Sequence, residues 1–104
     1  MAKYLLLYGA GRMPETDQER AQVTKAWDAW FTQLGPAVAD RGNPFTPSVK
    51  KIAGGGLVTE AKPTAGGYSI LEADSLDQAT KLAKGCPVLQ GGTDITVFET
   101  LQVM

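Results

Sequence analysis

The sequence predicts an α+β fold in which four strands and two helices follow one another in the order βαββαβ. Apolar residues alternate with a period of two over residues 3–8, 67–73 and 95–103, as β-strands require. Apolar residues recur every three or four positions over residues 16–34, as in an amphipathic helix. Right-handed crossovers then place both helices on one face of a four-stranded antiparallel sheet. We assign residues 1–104 to a single domain, because 104 residues is an ordinary size for one.

The first strand and the first helix are the clearest elements of the first half. The strand Lys3–Tyr8 carries apolar residues on both faces, which is typical of a central strand. The helix Thr16–Leu34 begins with Thr16 as cap and Glu19 as its capping-box partner. Trp27 and Trp30 follow the helical spacing of the apolar stripe, so we interpret them as core residues.

The middle of the chain is less strongly patterned. We predict a short offset helix over residues 36–41 and an edge strand over residues 46–53. Lys50 and Lys51 point to opposite faces of that strand and are interpreted as solvated charges. The glycine-rich residues 54–65 form either a flexible hairpin loop or a flap over a cleft.

The second half of the chain begins with a strand that leads directly into a helix. The strand spans residues 67–73, and Ser75 caps a helix over residues 75–84, with Gln78 three positions later. Residues 95–103 form the last strand.

Alternation along the strands divides the apolar residues between the two faces of the sheet. The set expected to contact the helices is Leu5, Leu7, Leu71, Ile95 and Val97. The set expected on the opposite face is Tyr4, Leu6, Tyr8, Tyr68, Ile70 and Phe98. An apolar patch of this size is typical of a surface buried against another molecule. We therefore expect a homodimer with the two sheets face to face and a cleft between them, and higher assembly stays open.

Composition excludes several classes of function. The sequence contains no histidine and one cysteine, Cys86, so Ser-His and Cys-His catalysis and zinc binding are not expected, and neither is any cofactor. We interpret Cys86 as a small buried residue. The net charge of −1 offers no basic stripe for nucleic acid, and no apolar run is long enough to span a membrane. A single cysteine fits a reducing, cytoplasmic location.

Several stretches of the chain are similar to one known family. Gly67–Ala79, Ala83–Pro87, Gly91-Gly92 and the closing strand with Glu99 resemble the YCII-related domain family, as do the opening strand and the tryptophan-bearing helix. The resemblance implies a ferredoxin-like fold that dimerises into an α/β barrel. Some members carry a His and an Asp proposed as an acid–base pair. This sequence has Val88 where relatives carry His after Cys-Pro, so no catalytic role is carried over.

Two functions from different classes remain open. The first is a dimeric small-molecule-binding or accessory module with its ligand in the cleft between the sheets. Its candidate ligand-binding residues are Tyr8, Arg12, Tyr68, Ile70 and Phe98, of which all but Arg12 would otherwise form a dimer core. The second is a cofactor-independent enzyme of isomerase or oxygenase type, in which Glu72 or Glu99 is the base and Tyr8 or Tyr68 donates the proton. The sequence does not decide whether the protein is an enzyme.

Overall fold

A computed structural model describes residues 2–10 and 16–103 of the chain. Within those residues, the strands and α-helices are β1 (Ala2–Gly9), α1 (Asp17–Leu34), β2 (Val38–Asp40), β3 (Lys50–Ile52), β4 (Val58–Glu60), β5 (Ala65–Ala73), α2 (Leu76–Ala83) and β6 (Ile95–Glu99). Short 3₁₀ turns occupy Gly35–Ala37 and Pro87–Gly91. Neither α-helix in this part of the chain is long and apolar enough to cross a membrane.

The main sheet has four antiparallel strands in the order β2-β5-β1-β6. The central pair, β1 and β5, is in register from Ala2 opposite Ala73 to Tyr8 opposite Gly67. Side chains of α1 and α2 pack in clusters with residues from one face of this sheet, which places both helices on that face. The predicted α+β class and its ferredoxin-like arrangement are therefore confirmed.

The helix starts follow the predicted capping residues. Thr16 accepts a hydrogen bond from the backbone N–H of Glu19 at 3.0 Å, and Ser75 accepts one from that of Gln78 at 3.1 Å. The side chain of Gln78 in turn accepts from the backbone N–H of Asp74 at 2.6 Å. The contacts of Thr16 and Ser75 satisfy N–H groups that the first turn of a helix leaves unpaired.

The predicted second strand was wrong in its position. The edge strand of the main sheet is β2, which lies in the segment predicted as a short offset helix, and Val38 pairs with Leu71. Helical structure there ends after one 3₁₀ turn, because the unpaired edge of β5 provides hydrogen bonds that a short helix cannot match. The predicted strand over residues 46–53 contributes only β3, which pairs with β4 in a separate two-stranded hairpin. Lys50 and Lys51 are exposed there, as expected.

The assignment of β1 side chains to the two faces of the sheet was also wrong. Tyr4, Leu6 and Tyr8 are buried and belong to the clusters that pack against the helices, whereas Leu5 and Leu7 lie on the opposite face and are half-buried. A strand that is apolar on both faces carries no signal for its orientation, so alternation alone could not choose between them. The expected orientations of β5 and β6 agree with the structure. Leu71, Ile95 and Val97 pack on the helix side, and Ile70 and Phe98, both opposite Leu5, face away from it.

The main core cluster lies between the two helices and the sheet. Its buried members are Leu6, Tyr8, Trp30, Phe31, Leu71, Ala83 and Cys86. Trp30 donates from Nε1 to the carbonyl of Leu82 at 3.3 Å, which joins α1 to α2. The predictions of Trp30 as core and of Cys86 as a buried residue are confirmed, and Trp27 packs against the same cluster while remaining half-buried.

Candidate functional site

A cavity of about 580 Å³ lies on the helix side of the sheet, between α1 and the adjoining ends of β1 and β5. Val23, Trp27 and Phe31 line it from α1, and Tyr8 and Ser69 line it from the sheet. Its volume falls within the range of roughly 300–1,000 Å³ that is typical of small-molecule sites. It therefore lies on the opposite side of the sheet from the cleft that the sequence predicted.

The α1 wall follows from helical spacing. Val23, Trp27 and Phe31 are four residues apart, so they lie on one face of the helix and point in the same direction. The ring centroids of Trp27 and Phe31 are 5.6 Å apart, and Trp27 meets Tyr8 edge-to-face at 5.1 Å. The aromatic rings thus form a continuous apolar wall from helix to sheet.

Two glycines allow the segment after β2 to close the other side of the cavity. A Cβ atom on Gly67 would lie 3.0 Å from the carbonyl oxygen of Asn43 and from Cα of Pro44. A Cβ atom on Gly42 would lie 1.8 Å from the carbonyl oxygen of Tyr68, and Gly42 has a φ of 72°. The backbone therefore approaches β5 more closely than any side chain would permit.

The buried end of the cavity lining carries a chain of hydroxyl groups. The hydroxyl of Tyr8 donates to Oγ of Ser69 at 2.7 Å, and Ser69 donates to the carbonyl of Arg41 at 2.6 Å. Burial raises the pKa of Tyr8 well above its usual value, and interaction with the Cys86 thiol adds to the rise, although the hydrogen bond with Ser69 opposes it. Tyr8 is consequently an un-ionised phenol at neutral pH.

A second pair of polar groups lies in the exposed part of the cavity lining. Arg41 donates to Asp28 at 3.2 Å, and its guanidinium carbon is 5.1 Å from the centre of the Phe31 ring. Both charged side chains are more than half exposed, so this ion pair adds at most about 1 kcal/mol to stability. Its location gives the apolar cavity one charged side.

Cys86 lies beside Tyr8 in the core cluster. Burial raises the pKa of its thiol to about 11, although hydrogen bonds from the backbone of Val88 and from Tyr8 oppose the rise. The thiolate is the reactive form of cysteine, so Cys86 is chemically inert at neutral pH.

The structure separates the residues that the sequence grouped as one site. Tyr8 and Tyr68 both line the cavity, but Ile70 and Phe98 do not. Arg12 lies outside the described residues. The ligand-binding roles of these five residues stay predictions.

The two predicted catalytic carboxylates do not line the cavity. Glu72 lies opposite Lys3 in the β1–β5 register, away from the helices. Glu99 is exposed and accepts a hydrogen bond from the hydroxyl of Tyr4 at 3.1 Å. Burial, followed by the hydrogen bond with Glu99, raises the pKa of Tyr4. Catalysis by Glu72 or Glu99 stays a prediction.

Sequence reasoning missed Ser69, Trp27, Phe31 and Arg41 as cavity residues. Trp27 and Phe31 fit the helical apolar stripe, which indicates a core and does not reveal a gap beside it. Ser69 did carry a signal, because it is a hydroxyl residue on the same strand face as Leu71 and Ala73. A polar side chain at such a position needs a partner, and that partner is part of the site.

Comparisons with known proteins place the chain in context. The sequence profile of the YCII-related domain matches residues 6–101. Among solved structures, the chain is similar to 5-chloro-2-hydroxyhydroquinone dehydrochlorinase (TftG) from Burkholderia phenoliruptrix AC1100, in complex with 2,5-dihydroxybenzoquinone. That likeness has a TM-score of 0.55 and 23% identity and covers 95% of this chain and 93% of TftG. No curated protein matches the sequence. Within the described residues, no group of three or more acidic, histidine or cysteine side chains could hold a metal ion.

Proposed function

The chain belongs to the YCII-related domain family, and from this premise we propose that it binds a small, flat, mainly apolar molecule in the cavity between α1 and the sheet. The observation that carries the proposal is the aromatic wall of Tyr8, Trp27 and Phe31 along a cavity of about 580 Å³. Aromatic rings favour flat ligands, which gain contact area on their faces and edges. The hydroxyl group of Tyr8, held in place by Ser69, supplies a polar contact that orients a ligand.

The similarity to TftG suggests which compounds to test first. TftG is an enzyme, and its structure holds 2,5-dihydroxybenzoquinone, a flat ring with oxygen substituents. The likeness to TftG extends to the fold and not to the reaction. Hydroxylated ring compounds are therefore the first set to screen, with 2-naphthol as the initial probe.

We propose binding ahead of catalysis because of where the carboxylates lie. Tyr4 and Glu99 are the hydrogen-bonded Tyr/Glu pair that an acid–base enzyme would need. Tyr4 is four residues from Tyr8 along β1, which is roughly 13 Å in a strand. A ligand that contacts Tyr8 and Trp27 is therefore beyond the reach of Glu99. The hydrogen bond between Tyr4 and Glu99 instead links strand β1 to strand β6.

We further propose that the protein is a homodimer joined through the sheet face that the helices leave open. Leu5, Leu7 and Ile70 are only half-buried on this face, and Phe98 is 47% exposed. Ile70 and Phe98 flank Leu5 in the register, so the apolar residues form one continuous patch. A second copy would cover this patch with an identical one.

Val23→Phe tests the proposed binding site. Val23 is 42% exposed and lines the cavity, so a phenyl ring there occupies space that a ligand needs. We expect 2-naphthol, or the tightest compound of the screen, to bind the variant about tenfold or more weakly than wild type, measured by calorimetry.

Gln22→Phe is the matched control. Gln22 is the neighbouring residue of α1, is exposed and does not line the cavity, so the same ring there should leave affinity unchanged. Equal affinity in wild type and Val23→Phe, or a screen in which no flat ring compound binds more tightly than about 1 mM, would contradict the proposal.

A further inference from the structure

We propose that the hydroxyl end of the cavity offers its ligand hydrogen-bond acceptors only, so that the site selects compounds carrying a hydroxyl or N–H group at that end. This end is formed by Tyr8 and Ser69. The inference rests on the proposed function, since it names the ligand chemistry of the same cavity. Its basis is the direction of the hydrogen-bond chain.

The direction of the chain is set at its far end. The carbonyl oxygen of Arg41 can only accept a hydrogen bond. The Ser69 hydroxyl, 2.6 Å away, must therefore donate its single proton to that oxygen. Ser69 can then only accept from Tyr8, whose oxygen is 2.7 Å away. The proton of Tyr8 is therefore committed to Ser69. Neither of these two hydroxyl groups therefore has a proton to give to a ligand.

The lone pairs that remain define what this end can bind. A hydroxyl oxygen has two lone pairs, and Ser69 is fully buried, so the acceptor that this end offers to a ligand is the oxygen of Tyr8. Every buried side-chain nitrogen and oxygen among the described residues already has a hydrogen-bond partner. A ligand that contacts this end can therefore add only a donor.

The ligand class follows from combining this end with the aromatic wall. A flat ring against Trp27 and Phe31 that carries a phenol-type hydroxyl can donate to the oxygen of Tyr8. A methyl ether or a carbonyl at the same position has no proton to donate, so it forms no hydrogen bond with an acceptor oxygen at this end. Hydroxylated ring compounds should bind more tightly than their O-methyl ethers, although the ethers are the more apolar.

Ser69 acts in this selection through Tyr8, as a positioning residue. Ser69→Ala removes the acceptor of the Tyr8 proton, which is then available to a ligand. The variant should accept the ether and the hydroxyl compound about equally. Ser69→Thr keeps a hydroxyl at the same position and should restore the wild-type preference.

The test compares the dissociation constants of 2-naphthol and 2-methoxynaphthalene, measured by calorimetry on wild type, Ser69→Ala and Ser69→Thr. The ratio of the two constants cancels changes in overall affinity that a variant causes by packing. We expect wild type to favour 2-naphthol by about fivefold to tenfold, the worth of one added hydrogen bond, and Ser69→Ala to bring the ratio near one.

Three outcomes would overturn the inference. An ether that binds wild type as tightly as 2-naphthol contradicts the acceptor-only end and leaves the proposed function standing. An unchanged ratio in Ser69→Ala contradicts the role of Ser69 and also leaves that function standing. Failure of both probes and of the wider screen to bind wild type counts against the proposed function itself, and the inference falls with it.

Discussion

Tyr8 has three roles at the scale of the residue. It belongs to the core cluster, forms the sheet side of the cavity and donates to Ser69. Each role depends on the same orientation, because the ring is held by Trp27 at one side and the hydroxyl by Ser69 at its end. The polar chemistry of the site therefore depends on a few buried hydroxyl contacts.

Cys86 gives the protein a specific weakness at alkaline pH. Its pKa is raised by burial from 9.0 to about 11, so the folded state keeps the thiol proton where the unfolded chain has lost it. The contribution of Cys86 is fully present below pH 9, and the free energy of unfolding falls as the pH rises from 9 toward 11.

Cys86→Ala should therefore lose less stability than wild type on going from about pH 8 to about pH 10, by about 1 kcal/mol. Urea unfolding of both proteins at the two pH values measures this difference. Comparing the pH-dependent loss, and not the absolute stability, removes the cost of the cavity that the substitution creates. An identical pH dependence of stability in the two proteins would refute the raised pKa of Cys86 in the folded state.

At the scale of the element, short-range signals predicted more than long-range ones did. The helix starts at Thr16 and Ser75 were predictable because a cap and its partner lie within three residues. The strand β2 was not predictable, because its three residues are extended only by pairing with β5, which lies about 30 residues later in the chain. Local propensity carries no information about such a partner.

The segment 42–45 next to β2 gives a test of how closely the backbone packs at the cavity. Gly42→Ala would put a Cβ atom 1.8 Å from the carbonyl oxygen of Tyr68, at a residue whose φ is 72°. We expect a loss of about 2–4 kcal/mol in the free energy of unfolding, measured by urea titration.

Gly54→Ala is the control for that measurement. A Cβ atom at Gly54 meets nothing within 4 Å, and Gly54 does not have a positive φ. Its stability should stay within about 0.5 kcal/mol of wild type. If Gly42→Ala were as stable as Gly54→Ala, the close approach of residues 42–45 to β5 would be incorrect.

At the scale of the whole molecule, the sheet separates two surfaces with different proposed tasks. The helix side holds the cavity, and the open side presents Leu5, Ile70 and Phe98. The α+β class and the placement of both helices on one face of the sheet were predictable from the order of periodic segments, whereas the edge strand β2 was not. The side of the sheet that holds the cavity was not, since β1 is apolar on both faces and a gap between α1 and the sheet depends on packing that no local pattern records.

Ile70→Lys tests the proposed dimer. A lysine at the centre of the open face would place a charge in the interface, so light scattering should give a single-chain mass of 11.0 kDa for the variant and twice that for wild type. Leu89→Lys is the control, because Leu89 is 40% exposed and lies outside the sheet. A single-chain mass for wild type, or a dimeric Ile70→Lys that retains its circular dichroism, would contradict the interface.

A crystal structure of the protein with its tightest ring compound tests the central claim most directly. We predict electron density for the compound between α1 and the sheet, with its ring against Trp27 and a hydroxyl within hydrogen-bond distance of the Tyr8 hydroxyl. Density between the open faces of two sheets, with the cavity beside Trp27 unchanged, would contradict the claim and return the site to the dimer cleft.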